Sequence, residues 1–284
     1  MNKWIMLCLF LGLAATGFAN ETDGVFSFRV GRFEVFTIVE SERIQNVSTL
    51  AGADAAVLER YNSADGFRIA TNAFLIKALG KTYLIDTGTG SGDVIYEKIK
   101  GLGVDPARID AVFLTHLHGD HFGGLRRNGE RAFPNAKIYV PAIDHTHFTV
   151  TNVSHASGVL ELYGSNVITF QPGELGGRLR SLVTGITPIA AYGHTPGHTA
   201  FLIEDRRAQF LVIGDLLHST DVQFPVPEIN TAWDVDPSAS AATRRRILEY
   251  AAANNISVGG MHIYYPGIGN VSRDGTGFKF TPAE

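Results

Sequence analysis

Cysteine is almost absent from this sequence, since Cys8 is the only one among 284 residues. Cys8 lies in an N-terminal segment that we expect to be removed, which excludes disulfides, thiolate metal ligands and a cysteine nucleophile in the mature chain. Positive charge is also scarce, because 24 Lys and Arg stand against 28 Asp and Glu, a net charge of −4. This balance argues against a nucleic-acid partner, which would need clustered basic side chains. The one dense basic run, Arg244, Arg245 and Arg246, is interpreted as a solvent-facing part of a helix.

The first 19 residues have the pattern of a secretory signal peptide. Lys3 is followed by an apolar run over residues 4–13 and by small residues that end at Ala19. We therefore expect cleavage after Ala19 and a mature domain over residues 20–284 that is periplasmic or secreted. The apolar run is shorter than the roughly 20 residues that span a bilayer. No second long apolar run follows, so we expect no membrane attachment after cleavage.

Hydrophobic periodicity predicts hairpins early in the chain and alternating strands and helices after them. Strands are expected at residues 26–30, 33–39, 72–78, 81–86, 111–115, 137–140, 186–191, 200–203, 209–213 and 257–261, and around Phe278 and Phe280. Helices are expected at residues 92–102, 142–150, 158–163 and 237–254. No segment has the composition of a linker. We therefore predict an α/β fold in one domain, with two packed sheets and helices outside them.

The strongest functional signal is a block of metal-ligand side chains directly after a short buried strand. It reads His-Leu-His-Gly-Asp-His over residues 116–121. Because alternate residues after a strand can face one point, His116 and His118 are expected at one metal ion. Asp120 and His121, on the turn into a helix, are expected at a second. Imidazole and carboxylate ligands without thiolate favour zinc, with iron and manganese as alternatives.

Three further groups of this kind follow predicted strands. A Gly-His-Thr-Pro-Gly-His block spans residues 193–198, Asp215 follows one later strand, and His262 follows another. Each of these residues alone would be weak evidence, since histidine and aspartate are common in loops. Their shared position at strand ends, where α/β folds place functional loops, points to one site.

In this combination the sequence resembles the metallo-β-lactamase superfamily. The resemblance rests on Asp86-Thr87-Gly88, the block at residues 116–121, the block at residues 193–198, Asp215 and His262, in that order. It covers the chain from about residue 24 onward and implies a single-domain αββα sandwich with two divalent metal ions. By motif position it assigns one ion to His116, His118 and His194, the other to Asp120, His121 and His262, and a bridging role to Asp215. His198 is interpreted as support for its loop.

The chemistry that the resemblance implies is hydrolysis by a metal-bridging hydroxide. Asp120 is the candidate catalytic residue, which orients the nucleophile and passes a proton to the leaving group. The segments at residues 214–218, 222–224 and 262–269, together with the helix that carries residues 244–246, most resemble the exported methyl parathion hydrolases and related lactone or aryl-ester hydrolases. The expected substrate is therefore a small ester, a lactone or a phosphotriester.

Two alternatives stay open. One is a non-hydrolytic member of the superfamily, either a mono-iron dioxygenase or a metal-dependent binding protein. The other is a β-lactamase, against which an aspartate at position 215 argues. The number and identity of bound metal ions would separate the first alternative from the hydrolase. A homodimer is compatible with the sequence.

An apolar pocket over the metal ions is the last expectation. Its candidate wall residues are His218, Phe122, Phe148, Phe224, Trp233 and Tyr265. Core packing is the alternative for each aromatic residue, because aromatic side chains are usually buried. The loops expected to set substrate choice are at residues 142–163 and 224–236.

Overall fold

The computed structural model describes residues 23–151 and 155–284. Its strands are β1 (Val25–Val30), β2 (Phe33–Gln45), β3 (Leu50–Ala51), β4 (Phe67–Ala78), β5 (Lys81–Ile85), β6 (Ala111–Phe113), β7 (Arg126–Arg127), β8 (Glu130–Arg131), β9 (Lys137–Pro141), β10 (Val167–Phe170), β11 (Ile186–Ala190), β12 (Thr199–Asp205), β13 (Ala208–Val212), β14 (Asn230–Thr231), β15 (Ser257–Gly259), β16 (Ile268–Asp274) and β17 (Gly277–Pro282). Its α-helices are α1 (Ala55–Arg60), α2 (Val94–Gly101), α3 (Gly119–Phe122), α4 (Ala142–Thr151), α5 (Ala156–Tyr163), α6 (Thr220–Gln223) and α7 (Pro237–Asn254). The expected signal peptide lies outside the described residues, and within them no helix is long and apolar enough to cross a bilayer.

Two mixed sheets carry the fold. The first has the strand order β1-β2-β4-β5-β6-β9-β10, in which the pairs from β5 to β10 are parallel. The second has the order β11-β12-β13-β15-β16-β17, with one parallel pair, β13 and β15. Neighbouring parallel strands end at the same edge of their sheet. The loops that follow β5 and β6 therefore lie side by side, as do the loops that follow β13 and β15.

Three apolar layers hold these sheets and their helices together. The middle layer lies between the sheets, where Phe28 meets Phe210 at a ring-centroid distance of 4.8 Å. On the outer face of the first sheet, buried side chains such as Ile99 of α2 and Phe148 of α4 form the second layer. On the outer face of the second sheet, Ile247 of α7 belongs to the third. The αββα sandwich predicted from the sequence is confirmed.

A smaller cluster lies beside the sandwich. Leu50 of β3, Phe67 and Ile69 of β4, and Val222 of α6 are buried together against apolar residues of α1. The β3 strand pairs with β14 as a separate two-stranded sheet. The sequence predicted neither α1 nor this sheet, because α1 has only six residues and none of them is fully buried.

The early and late helices match their predicted limits closely, but one prediction for α7 is wrong. Asp236 caps this helix by accepting a hydrogen bond from the backbone N–H of Ala239, and Pro237 is its first residue. Arg244 was interpreted as solvent-facing, yet its side chain is fully buried. Its guanidinium donates to the backbone carbonyls of Pro227 and Ile229, which satisfy the charge inside the protein. A run of three arginines on a helix necessarily points in three directions, and one of them is inward.

Candidate metal centre

The block at residues 116–121 leaves β6 and turns into the short helix α3. His116 is fully buried, and His118 is the N-cap residue of α3. Nε2 of His116 lies 2.9 Å from Nδ1 of His118, so the two rings converge on one point. One turn on, Oδ1 of Asp120 lies 3.5 Å from Nε2 of His121. The block therefore supplies two neighbouring pairs of ligand atoms.

Residues from the second sheet complete both pairs. His194, in the loop between β11 and β12, places Nε2 3.1 Å from Nδ1 of His118. His262, after β15, places Nε2 3.5 Å from Oδ2 of Asp120. We define the first group as His116, His118, His194 and Asp215, and the second group as Asp120, His121 and His262. Within each group the ligand atoms all lie within 4.8 Å of one another, and each group could hold a metal ion.

Asp215 lies between the two groups. It follows β13 and is 2% exposed. Its Oδ2 atom faces the Nε2 atoms of several histidines, at 3.7 Å from His116, 3.3 Å from His121, 3.3 Å from His194, 3.4 Å from His218 and 3.0 Å from His262. One carboxylate oxygen therefore faces members of both groups, which is the placement that a bridging ligand requires.

Four histidines of the two groups direct Nε2 toward the site. In each of them the other ring nitrogen, Nδ1, has a polar partner that holds the ring. Nδ1 lies 3.1 Å from Thr115 Oγ1 in His116, 2.7 Å from Asp86 Oδ2 in His121, 2.9 Å from Asp234 Oδ1 in His194 and 2.7 Å from the Ala70 carbonyl in His262. Such partners fix the orientation and the tautomer of a metal-binding imidazole and raise its basicity. The rings are therefore positioned before any ion arrives.

His198 supports Asp215 through the main chain. The backbone N–H of Asp215 donates to Nε2 of His198 over 2.9 Å. His198 must then carry its proton on Nδ1, which donates to the carbonyl of Ala191 over 2.8 Å. A Cβ at Gly214 would lie 2.5 Å from the same Nε2, so only glycine allows this approach. His198 thus supports its loop, in agreement with its interpretation from the sequence.

Burial and neighbouring carboxylates set the charge of the first group in opposite ways. Burial holds the pKa of His116 well below its usual value and lowers that of His118 to about 3. Burial opposes the charged form of His194 as well, but hydrogen bonds to Asp215 and Asp234 outweigh it and raise the pKa of His194 to about 9. Two of the three imidazoles are therefore neutral at pH 7 and keep a lone pair for a metal ion.

Two buried atoms test whether the residues fit metal ions. Neither Nε2 of His121 nor Oδ1 of Asp215 has a hydrogen-bond partner. A buried polar atom without a partner costs about 1–3 kcal/mol, and coordination would remove that cost. Although burial opposes ionisation of Asp215, His121 and His262 hold the pKa of its carboxyl well below the usual range, so it is the charged form that a cation needs. Nitrogen and oxygen donors in these numbers fit divalent ions, and zinc in particular.

His218 and Trp233, two of the expected pocket residues, lie at the centre. The ring of His218 stacks on that of His262, with centroids 4.6 Å apart, and its Nδ1 has no hydrogen-bond partner. The ring of Trp233 lies 5.0 Å from that of His218 and is 39% exposed. Trp233 therefore connects the protein surface with the buried centre.

The remaining aromatic candidates are placed differently. Phe148 is buried and meets the edge of His118, with ring centroids 5.7 Å apart, so it borders the first group. Phe122 is buried in the layer between the first sheet and its helices. Phe224 is fully buried and stacks on Phe280, so it is a core residue and not the pocket wall that the sequence predicted.

Tyr265 is also directed toward packing. It is half-buried against the layer between the sheets, where its ring meets that of Phe26 edge-on at 6.3 Å. Tyr265 and Phe224 belong to the segments that carry the family resemblance, near His262 and Asp215 in the sequence, and the resemblance implied an apolar pocket over the metal ions. Sequence distance from a ligand does not determine which face of a loop a side chain takes.

Sequence reasoning missed two buried carboxylates beside the centre. Asp234 contacts His194, as described above, and Asp144, on α4, accepts hydrogen bonds from the loops that carry the first group. Both are single acidic residues outside any motif, so no local pattern identified them. Their role depends on how distant segments meet in the fold.

The chain is similar to several known proteins. A family model described as the metallo-beta-lactamase superfamily matches residues 66–255, more than half of the chain. Among curated proteins, the hydroxyacylglutathione hydrolase of Xanthomonas euvesicatoria pv. vesicatoria is 28% identical over 145 residues, which are 51% of this chain and 45% of that protein. The lactamase-like protein aptB of Emericella nidulans is 31% identical over 144 residues, 49% of this chain and 38% of that protein. The chain thus spans less than half the length of these relatives.

Two solved structures are similar over nearly the whole chain. AbOPH, a hydrolase in the beta lactamase superfamily, has a TM-score of 0.82 and 24% identity over 93% of this chain and 99% of its own. AidC, a dizinc quorum-quenching lactonase solved with the product N-hexanoyl-L-homoserine, has a TM-score of 0.81 and 23% identity over 92% of this chain and 98% of its own. At these identities the likeness establishes the fold.

Proposed function

The chain belongs to the metallo-beta-lactamase superfamily, and from that premise we propose that it is a hydrolase that holds two divalent metal ions and cleaves small esters, lactones or phosphotriesters. The observation that carries this proposal is the position of Asp215, whose Oδ2 faces histidines of both groups at 3.0–3.7 Å. A structural zinc ion is fully coordinated by four protein ligands, whereas these two groups offer seven.

The first group would hold one ion and the second group the other, with Asp215 shared between them. The ions would be zinc in preference, because the ligands are imidazole and carboxylate. Divalent ions bound in pairs supply the Lewis acidity that activates water near neutral pH and stabilises the charge that develops on an attacked carbonyl or phosphoryl oxygen. The protein's own part is to hold the ligand atoms in place through Thr115, Asp86, Asp234 and Ala70.

Asp120 is the proposed catalytic residue. Its side chain is one-third exposed, whereas the partners that flank it, His121 and His262, are almost fully buried. The neighbouring histidines outweigh burial and hold the pKa of the Asp120 carboxyl below its usual value, so it is ionised at neutral pH. An ionised, solvent-reachable carboxylate at the edge of the centre can take a proton from attacking water and return it to the leaving group.

The substrate is proposed to be small and partly apolar. The exposed face of Trp233 offers an apolar surface beside the centre, and the buried polar ring of His218 packs against both Trp233 and His262. A lactone or aryl ester fits that combination, and so does a methyl phosphotriester, as in the methyl parathion hydrolase branch. The N-terminal pattern leads us to propose further that the enzyme acts in the periplasm or outside the cell.

The test starts from mature protein loaded with zinc. Metal content is measured by mass spectrometry, and acid release is followed by pH-stat with a γ-lactone series, aryl esters, a thioester, a methyl phosphotriester and a penicillin. We expect two zinc ions per chain and the fastest release from a lactone or ester. One iron per chain with oxygen consumption would overturn the hydrolase, two zinc ions without any acid release would favour the binding protein, and a preference for penicillin would favour a β-lactamase.

Variants make this test specific. Asp215→Ala and His118→Ala should reduce turnover by at least about 100-fold, since even partners of metal ligands matter by 10–100-fold. Asp205→Ala is the matched control, because Asp205 is a similarly buried aspartate. It is the last residue of β12, whereas the loop that carries His194 precedes the first residue of that strand. Full activity in Asp215→Ala would contradict the assignment of the bridging ligand.

A further inference from the structure

Asp144 is a buried carboxylate that belongs to neither group. It lies in the first turn of α4, on the outer face of the first sheet, and its exposed fraction is 0%. Burial raises the pKa of its carboxyl, and a buried acidic residue is costly unless hydrogen bonds compensate it. The structure supplies those hydrogen bonds from two separate loops.

The donors all come from the loops that carry the first group. The backbone N–H of Leu117, between His116 and His118, donates to Oδ2 of Asp144 over 3.3 Å. The hydroxyl of Thr195 donates to the same oxygen over 2.7 Å, and the backbone N–H of Gly197 donates to Oδ1 over 2.5 Å. One carboxylate therefore joins a loop of the first sheet to a loop of the second.

Two neighbouring features show that the contact is built closely. A Cβ at Gly197 would lie 2.6 Å from the backbone nitrogen of Asp144 and 2.8 Å from its Oδ1, so only glycine lets the carboxylate reach this loop. Phe148 follows Asp144 by one helical turn and therefore lies on the same face of α4. Its ring packs against the edge of His118. One face of α4 thus contacts the first group twice, once by hydrogen bonds and once by packing.

We propose that Asp144 is a positioning residue that sets the separation of His118 and His194 and thereby the zinc affinity of the first group. His118 and His194 come from loops of different sheets, and Nδ1 of His118 and Nε2 of His194 are 3.1 Å apart. Asp144 binds the residue before His118 and the residue after His194, so a shift of either loop would have to break one of its hydrogen bonds. The inference rests on the proposed function in that the first group is taken to bind an ion.

The experiment compares zinc binding by Asp144→Ala, Asp144→Asn and Asp205→Ala with that of the wild-type protein. Asp205 is the matched control, since its buried carboxylate also accepts several hydrogen bonds, from the backbone and side chain of Arg32. Its distance from the centre is set by the length of β12, about 20 Å for seven residues. Zinc affinity is measured by competition with a chromophoric chelator, the geometry of the first group by the visible spectrum of the cobalt-substituted protein, and folding by the Tm of the metal-free protein.

We expect Asp144→Ala to lower the zinc affinity of the first group by 10–100-fold and to shift the visible spectrum of the cobalt-substituted protein, while the second group keeps its ion. Asp144→Asn keeps the shape and one acceptor oxygen, so its loss should be smaller. Asp205→Ala should lower the Tm but leave zinc affinity and the cobalt spectrum unchanged.

Three outcomes would overturn the inference. A folded Asp144→Ala variant with wild-type zinc affinity would show that the loops hold their own separation. Equal loss of zinc in Asp144→Ala and Asp205→Ala would show a general effect of stability. A wild-type protein that binds no zinc would overturn the proposed function together with this inference. This outcome is distinguished from the other two by the zinc measurement on the wild-type protein alone.

Discussion

Oδ1 of Asp234 lies 2.9 Å from Nδ1 of His194. The other ring nitrogen of His194, Nε2, faces Asp215. His194 is thus held between two carboxylates, one within the first group and one behind it. The other oxygen of Asp234 accepts the backbone N–H of Thr231 over 2.9 Å and lies 3.7 Å from the buried Arg244. The orientation of a predicted metal ligand therefore depends on the loop that precedes α7.

Removal of this partner should weaken metal binding. Asp234→Ala leaves Nδ1 of His194 without its acceptor, and we expect zinc affinity to fall by 10–100-fold. The measurement is zinc competition with a chelator, followed by kcat and KM on the best substrate of the panel. Asp236→Ala is the control, because the Asp236 side chain caps α7 through Ser238 and Ala239, and the substitution keeps the backbone N–H that donates to Gly193 beside His194. If Asp236→Ala lost zinc to the same degree, the effect would belong to the helix and not to His194.

The side chains that converge as candidate metal ligands could be predicted from the sequence, whereas the residues that surround them could not. His116, His118 and His121 occur in a dense block after a strand, a pattern that indicates metal binding. Asp234 and Asp144 are single carboxylates whose contacts join segments 40 and 51 positions apart. Such contacts follow from the packing of two sheets, and periodicity within one segment holds no information about them.

The same limit explains the elements that the sequence analysis missed. The β10 strand has four residues and only Phe170 is buried, so its alternation is too short to be read. The β16 strand contains Asn, Ser, Arg and Asp and is exposed over its second half. Both strands exist because a neighbouring strand supplies hydrogen bonds, β9 for the first and β15 and β17 for the second.

Removal of the metal ions should destabilise the fold. The centre joins loops of both sheets, so bound ions stabilise the folded state over the unfolded chain. At a free zinc concentration about 100 times the Kd, one site contributes about 2.7 kcal/mol. For a domain of this size that is a shift in Tm of roughly 5–10 °C. We expect EDTA, which would remove the ions of both groups, to lower the Tm by at least this amount and added zinc to restore it, as followed by circular dichroism.

His118→Ala provides the matched comparison for the chelation experiment. The variant lacks one ligand of the first group, so its Tm should respond less to zinc than that of the wild-type protein. An equal response in both would place the stabilising ion elsewhere in the molecule.

The buried cation of α7 should contribute strongly to stability. Arg244 donates to Leu216, Pro227 and Ile229 carbonyls, and burial lowers its pKa to about 10, which still leaves it charged at neutral pH. Arg244→Leu would remove the donor from these three carbonyls and the positive charge that lies 3.7 Å from the buried Asp234. Breaking one side of a buried charged network costs about 3–5 kcal/mol.

The neighbouring Arg245 is the control for that experiment. Its side chain is exposed and pairs with Glu228 at the surface, so Arg245→Leu should cost less than about 1 kcal/mol. Urea unfolding of the metal-free proteins measures both values. Similar losses for the two variants would contradict the structural role assigned to Arg244.

The last prediction concerns pH and the ion pair between the two sheets. Asp205, at the end of β12, accepts hydrogen bonds from the backbone N–H and the guanidinium of Arg32, in the turn between β1 and β2. These bonds lower the pKa of Asp205 to about 2, below its value of 3.8 in an unfolded chain. A carboxyl with a depressed pKa in the folded state stabilises the fold above the unfolded pKa, and that contribution is lost as the pH falls toward the folded pKa. The Tm difference between the metal-free wild-type protein and Asp205→Asn should therefore be constant above about pH 5 and shrink between pH 4 and pH 2.

The control repeats this comparison in a protein that also carries Arg32→Met, where most of the pH dependence should disappear. A pH-dependent Tm difference that survives there would assign the lowered pKa of Asp205 to another partner.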